Sequence, residues 1–303
     1  MTKKILIFGK NGQVASDLIE LINSDKNYSL DVFGSKDIDI SKTEDFKNFV
    51  AKLPIYDIVI NATSYNFVDK AEEEKDLAMK INDEAVAIMA GFCKKNDSLF
   101  IHYSTNYVFD GNNSCANIED DEEFLKPLGV YGKSKLSAEI SVANSGCKYL
   151  IFRLATVFRE NKTNFLAKML ELFAKNEELK IVDDQITNPS YSFDIAQSTV
   201  KIIKEIEDNI DGDSRLNQIY HLCNSGKASY FEFCNYIYEE VKKDNRFKIV
   251  TKKIFPINSS EFITPAKRPI NGTLDNNKIK KDFGIFLPSW QDATSRAILK
   301  TKS

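Results

Sequence analysis

The chain has 303 residues, and 41 Lys and Arg against 44 Asp and Glu leave a formal charge of −3 at neutral pH. That balance lacks the long-range attraction a phosphate polymer needs, so nucleic acid is excluded as a first partner. No apolar run approaches the roughly 20 residues that cross a bilayer, and Lys10 interrupts the short run Ile5–Phe8, so we expect a soluble, cytoplasmic chain with no membrane partner.

At about 150 residues per domain the length suggests one large domain or two, and 43% hydrophobic residues suffice for a substantial core. The five cysteines are scattered and form no C-x-x-C pair, which argues for reduced thiols and against a disulfide framework or zinc site. With only His102 and His221 present, no metal centre is expected, and both read as strand residues near the core.

In chain order, apolar runs at Ile5–Phe8, Ser29–Phe33, Ile58–Asn61, Leu99–Tyr103 and Tyr149–Leu154 predict buried strands. Between them, Gln13–Ile22, Thr43–Lys52, Ala71–Lys95 and Tyr131–Ala143 carry helical periodicity. Strands alternating with helices give an α/β fold, a Rossmann-type doubly wound parallel sheet. Helices follow at Asn164–Ala174, Phe193–Glu207, Phe231–Lys242 and Gln291–Thr301, with a further buried strand at Gln218–Cys223. We therefore place a dinucleotide-binding domain at 1–155, with parts of 192–223 added, and a smaller, interleaved C-terminal substrate lobe at 156–303. The acidic runs Glu72–Glu74 and Glu119–Glu123 read as solvated surface.

The first strand runs into Gly9-Lys-Asn-Gly12-Gln-Val-Ala15 and then a helix, the setting in which backbone N–H groups approach a pyrophosphate. Gly9 and Gly12 serve the turn, although the spacing departs from G-x-G-x-x-G. The second strand ends in Gly34-Ser35-Lys36 where an NAD-preferring fold has an acidic residue. A hydroxyl and an ammonium there suit an extra phosphate, so the expected cofactor is NADPH, with NADH as the alternative.

Tyr131 and Lys135 stand one helical turn apart and share a face. Tyr238 and Lys242 have the same spacing, so context must separate the pairs: Tyr131 opens a helix between core strands, and Ser104-Thr105 ends the strand before it. Lys267 and Arg268, set between Pro265 and Pro269, suit a substrate diphosphate or an ordinary solvated loop.

The segments Phe8–Val14, Ile60–Tyr65, Val68–Glu72, His102–Phe109, Val130–Leu136, Val182–Gln185 and Pro265–Pro269, in that order, resemble the dTDP-4-dehydrorhamnose reductases of the extended short-chain dehydrogenase/reductase superfamily. The resemblance runs over almost the full length. It implies that Tyr131 protonates a carbonyl oxygen, that Lys135 lowers the phenol pKa and holds the nicotinamide ribose, and that Thr105 hydrogen-bonds the substrate oxygen. It also implies cofactor contacts at Gly12, Gln13, Val14, Asp39, Ile40, Ala62, Thr63, Ser64, Tyr65 and Tyr103, and nucleotide-sugar contacts at Val68, Thr105, Asn106 and Thr156.

Two of those positions depart from the family pattern: Asn106 replaces the usual Asp, and Thr156 replaces a common Trp. An amide for a carboxylate changes hydrogen bonding, and a lost indole removes a stacking surface. The resemblance implies NADPH-dependent reduction of the 4-keto group of a dTDP-4-dehydro-6-deoxy-L-hexose, giving dTDP-L-rhamnose, by a monomer or homodimer. The alternatives are another nucleotide-4-ketosugar reductase, such as a talose-forming one, and a non-catalytic NADP-binding regulatory subunit. Asn106-Tyr107 after the threonine argues against a dehydratase, which places Asp-Glu there.

Overall fold

Six parallel strands form the central sheet: β1 (Lys3–Phe8), β2 (Tyr28–Phe33), β3 (Ile58–Asn61), β4 (Leu99–Thr105), β5 (Lys148–Leu154) and β6 (Gln218–His221). Their spatial order is β2-β1-β3-β4-β5-β6. The structure is a computed structural model and describes residues 2–302. Because strand order reverses between β1 and β3, the loops leaving their carboxyl ends diverge and leave a crevice, where open α/β sheets bind ligands.

The longer helices are α1 (Gln13–Asn23), α2 (Thr43–Val50), α3 (Ala85–Asn96), α4 (Val130–Asn144), α5 (Phe165–Phe173), α6 (Ser192–Ile206), α7 (Tyr230–Val241), α8 (Asn277–Phe283) and α9 (Trp290–Lys300). Side chains alternate across a strand, so β1 sends Ile5 and Ile7 to one face and Leu6 and Phe8 to the other. The first pair packs with residues of α1, α6 and α8, and the second with residues of α2, α3 and α4. Cover on both faces explains why β3 and β4, buried at every position, read as near-continuous apolar runs.

A second core gathers Phe158, Tyr191, Phe233 and Trp290 with residues of α5, α7 and α9. Short strand pairs frame it: Val157–Phe158 with Ser190–Tyr191, Ile186–Thr187 with Ala228–Ser229, and Glu178–Val182 with Lys253–Ile257. The chain returns to the main sheet three times, through α6, β6 and α8. Among the described residues, no helix is long and apolar enough to cross a membrane.

The structure corrects two expectations. The single helix expected over 71–95 is interrupted at Glu72–Glu74: a short turn at Val68–Ala71 is followed by a continuous run from Lys75 to Asn96 in which Lys75–Met79 passes through a π-helical stretch at Lys80–Glu84 into α3. The π-turn carries Asn82, whose side chain is drawn inward by polar groups (see below); periodicity alone cannot register such a local pull. The acidic runs are not uniformly solvated either. Glu72 accepts from Val130 N at 2.7 Å, Glu74 from the Tyr65 hydroxyl, and Glu119 from His221 N at 2.7 Å.

Candidate active site

β1 ends directly in the glycine turn. Gly9 has φ +113°, and a Cβ there would stand 2.6 Å from Ala62 O, so the turn lies against the segment after β3 only because a side chain is missing. Gly12 is the N-cap of α1 and offers no side-chain cap, and the first turn holds no acidic residue. The opening N–H groups of α1 therefore remain available to an anion.

Two adjoining cavities follow the crevice. The first, about 500 Å³, is bounded by Gly9, Lys10, Gly12, Ser35, Asp39 and Ile40. The second, about 470 Å³, is bounded by Gln13, Val14, Val68, Tyr103, Thr105, Asn106, Tyr131, Lys135 and Thr156. Gly12, Ala62, Thr63 and Ser64 border both, so the two form one trough.

Thr105 ends β4, while Tyr131 and Lys135 occupy the first turns of α4. This helix buries Gly132, Ser134, Lys135 and Glu139 among its inward residues, because part of what it faces is polar. Gly132 lets it approach: a Cβ there would meet Tyr107 O at 2.2 Å. Asn82 then ties three segments together. Its Oδ1 accepts from Tyr65 N at 2.7 Å, and its Nδ2 donates to Tyr65 O at 3.1 Å and to Ser134 Oγ at 2.9 Å.

Burial pushes the Tyr131 phenol above its ordinary pKa, while the facing hydroxyls of Thr105 and Ser64 favour the ionised form and oppose that push. Lys135 Nζ donates to Tyr103 O at 2.6 Å and lies 3.2 Å from His102 Nε2. Burial pulls the ammonium down to about 7 against the attraction of Glu139. Against the phenol's burial stand the hydroxyls of Thr105 and Ser64, while the Lys135 ammonium is itself lowered by burial.

The proton positions are constrained further. Asn61 Oδ1 accepts from Thr63 N at 2.9 Å and from Thr63 Oγ1 at 2.6 Å, which turns the Asn61 amide nitrogen toward His102 Nδ1 at 3.0 Å. His102 Nδ1 is then an acceptor, and the proton of the neutral ring sits on Nε2, facing Lys135.

Most of the expected site residues meet in the trough; four do not border it. Tyr65 turns its hydroxyl to Glu74. Lys36 is exposed outside the lining, as is Lys267. Arg268 is drawn to Asp69 Oδ2 at 2.8 Å. Asn106 borders the trough, but its amide nitrogen is engaged by Gly272 O at 2.7 Å. The competing pair lies elsewhere: Tyr238 donates to Thr251 O at 2.7 Å and Lys242 pairs with Glu239.

Sequence reasoning did not single out Lys10, Asn82, Tyr107 and Tyr230 as site residues, and it read His102 only as a core histidine. The available signal for Asn82 was a polar residue on the inward face of an amphipathic stretch. Lys10 sits inside the glycine turn, which already marked a phosphate site.

Comparison with known proteins matches the family described as RmlD substrate binding domain over residues 3–303. The chain is 34% identical over 302 residues to a dTDP-4-dehydrorhamnose reductase of Burkholderia thailandensis, covering 97% of this chain and 98% of that protein. It is 32% identical over 300 residues to the dTDP-4-dehydrorhamnose reductase of Escherichia coli K12, covering 97% and 96%. Its structure is similar to that of a Bacillus anthracis dTDP-4-dehydrorhamnose reductase in complex with NADP, with a TM-score of 0.86 and 28% identity over 99% of this chain and 100% of that one. A Thermotoga maritima UDP-glucose 4-epimerase shares the fold, with a TM-score of 0.76 and 17% identity over 98% and 97%.

Proposed function

Because the chain belongs to the RmlD substrate binding domain family, whose members include dTDP-4-dehydrorhamnose reductases, we propose that Tyr131, Lys135 and Thr105 perform its reaction. That reaction is the NADPH-dependent reduction of the 4-keto group of a dTDP-4-dehydro-6-deoxy-L-hexose, forming dTDP-L-rhamnose. The observation that carries this reading is the meeting of these three side chains, from β4 and α4, in a cavity continuous with the glycine turn.

The residues present fit a dinucleotide. The uncapped start of α1 suits a pyrophosphate, and Lys10 and Ser35 border the cavity beyond it, where β2 ends without an acidic residue. When bound, NADPH supplies the hydride for the ring carbon. Lys135, anchored on Tyr103 O, would hold the ribose hydroxyls of the bound cofactor. Tyr131 gives its phenolic proton to the carbonyl oxygen as negative charge develops there. Thr105 Oγ1 accepts from Tyr107 N at 3.2 Å and its hydroxyl faces the Tyr131 phenol, so a substrate oxygen seated between them would meet both hydroxyls.

The finer parts of this reading are a cytoplasmic location, consistent with five free cysteines, and a monomer or homodimer. Purified protein should oxidise NADPH only when a nucleotide 4-ketosugar is supplied. Tyr131→Phe should lower kcat by about 10²- to 10⁴-fold while NADPH still binds; a fully active variant refutes the assignment. Product NMR separates the rhamno from the talo configuration, a distinction that matters because Thr156 and Asn106 depart from the family pattern.

A further inference from the structure

Thr156 follows β5 at φ 30°, a left-handed backbone that a β-branched residue rarely adopts and that glycine or asparagine would take more easily. The surroundings hold it there. Its carbonyl accepts from Ser190 N at 3.0 Å, and the next residues pair with Ser190–Tyr191. Strain of this kind persists where a side chain is needed in a particular place.

The Thr156 hydroxyl lies 2.9 Å from Thr187 Oγ1 and 3.4 Å from the Tyr230 hydroxyl. Thr187 and Tyr230 are themselves fixed. Thr187 pairs with Ala228 across a short antiparallel ladder, and Tyr230 opens α7 inside the Ser229–Glu232 capping box. The Tyr230 ring also packs on Phe165, with centroids 5.3 Å apart. Both Thr156 and Tyr230 border the cavity that holds Tyr131 and Thr105.

Resting on the reductase reading, we propose that Thr156 and Tyr230, with Thr187 buried behind Thr156 as its hydrogen-bond partner, form a preorganised hydroxyl wall that selects a nucleotide 4-ketosugar bearing a free ring hydroxyl over its deoxygenated analogue. Each hydroxyl has one donor and two acceptor sites, and among the three only the Thr156–Thr187 contact has ordinary hydrogen-bond length. Capacity is left for a neutral hydroxyl partner. An anion is a poor match, because the neighbouring guanidinium of Arg268 is paired with Asp69 at 2.8 Å. A site built to hydrogen-bond a substrate hydroxyl discriminates strongly against the analogue that lacks it, whose binding strands polar groups without partners.

The test compares kcat/KM of the wild type, Thr156→Val, Tyr230→Phe and Thr156→Ser on dTDP-4-keto-6-deoxyhexose and its 2-deoxy and 3-deoxy analogues, with NADPH affinity measured in parallel. The wild type should prefer the hydroxylated sugar over at least one analogue by about tenfold or more. Thr156→Val and Tyr230→Phe should lose about tenfold on the hydroxylated sugar and little on that analogue, with NADPH affinity retained; Thr156→Ser should keep the preference. Equal reduction of all three sugars by the wild type, or undiminished preference in both hydroxyl-deleting variants, overturns the inference while leaving the reductase reading intact. A wild type that oxidises NADPH with none of the sugars overturns that reading, and the inference with it.

Discussion

Lys135 Nζ lies 3.2 Å from His102 Nε2, and the ring presents a proton there rather than a lone pair, because Asn61 occupies Nδ1. The amine therefore meets a donor on one side and the Tyr103 carbonyl on the other, an arrangement that favours its neutral form. Burial acts in the same direction, and of the groups around Lys135 the Glu139 carboxylate opposes it.

Activity and stability should consequently respond to pH in opposite senses. If the ammonium grips the cofactor ribose, kcat/KM for NADPH falls as pH rises through about 7, by up to tenfold per unit; a flat profile from pH 6 to 9 refutes this. In the unfolded chain the amine returns to its ordinary 10.5, so between about 7 and 10.5 the unfolded state binds more protons. Lys135 thus contributes stability that rises with pH across that window, at a limit of about 1.4 kcal/mol per unit. Urea titrations of wild type and Lys135→Met should show that slope only in the wild type.

Glu139 and Arg153 form a buried ion pair at 2.7 Å, with relative exposures of 3% and 1%, and Ser104 donates to the same carboxylate. Arg153 Nη1 has no partner of its own. Glu139→Gln should destabilise the fold by about 3–5 kcal/mol by leaving a buried guanidinium uncompensated, whereas Glu139→Leu with Arg153→Met should recover most of the loss. Denaturant midpoints of the singles and the double decide this. Glu139 stands one turn beyond Lys135, so the Gln variant should also shift the activity break to lower pH.

Gly132→Ala places a methyl 2.2 Å from Tyr107 O and 2.8 Å from Pro127 Cβ. The first contact is with backbone, so α4 must move, and Tyr131 and Lys135 move with it. A displacement of about 1 Å can cost about a hundredfold in rate. The expected result is a large fall in kcat together with a lowered melting temperature. By contrast, Gly91→Ala meets nothing within 4 Å in the middle of α3 and should leave kcat unchanged.

Much of the architecture was legible because burial on both faces of a parallel sheet writes itself as uninterrupted apolar runs, as in β3 and β4, and because a strand running into glycines and then a helix is a local arrangement. Tyr131, Lys135 and Thr105 could be picked out on the same basis, together with the family resemblance. The π-turn at Lys80–Glu84 inside the helix expected over 71–95 was not legible, since Asn82 is held by Tyr65 and Ser134, which lie far from it along the chain.

Composition, periodicity and local motifs determined the fold class and the place of the glycine turn, and with the family resemblance they pointed to Tyr131, Lys135 and Thr105 as candidates, because each depends on residues within one or two elements. Tertiary structure alone decided that Tyr65 and Arg268 are engaged by Glu74 and Asp69, that Tyr238 and Lys242 stay outside the trough, and that Thr156 meets Thr187 and Tyr230. Those outcomes depend on which distant carboxylates and hydroxyls the packed elements bring within about 3 Å, a distance over which hydrogen bonding has no counterpart in linear order.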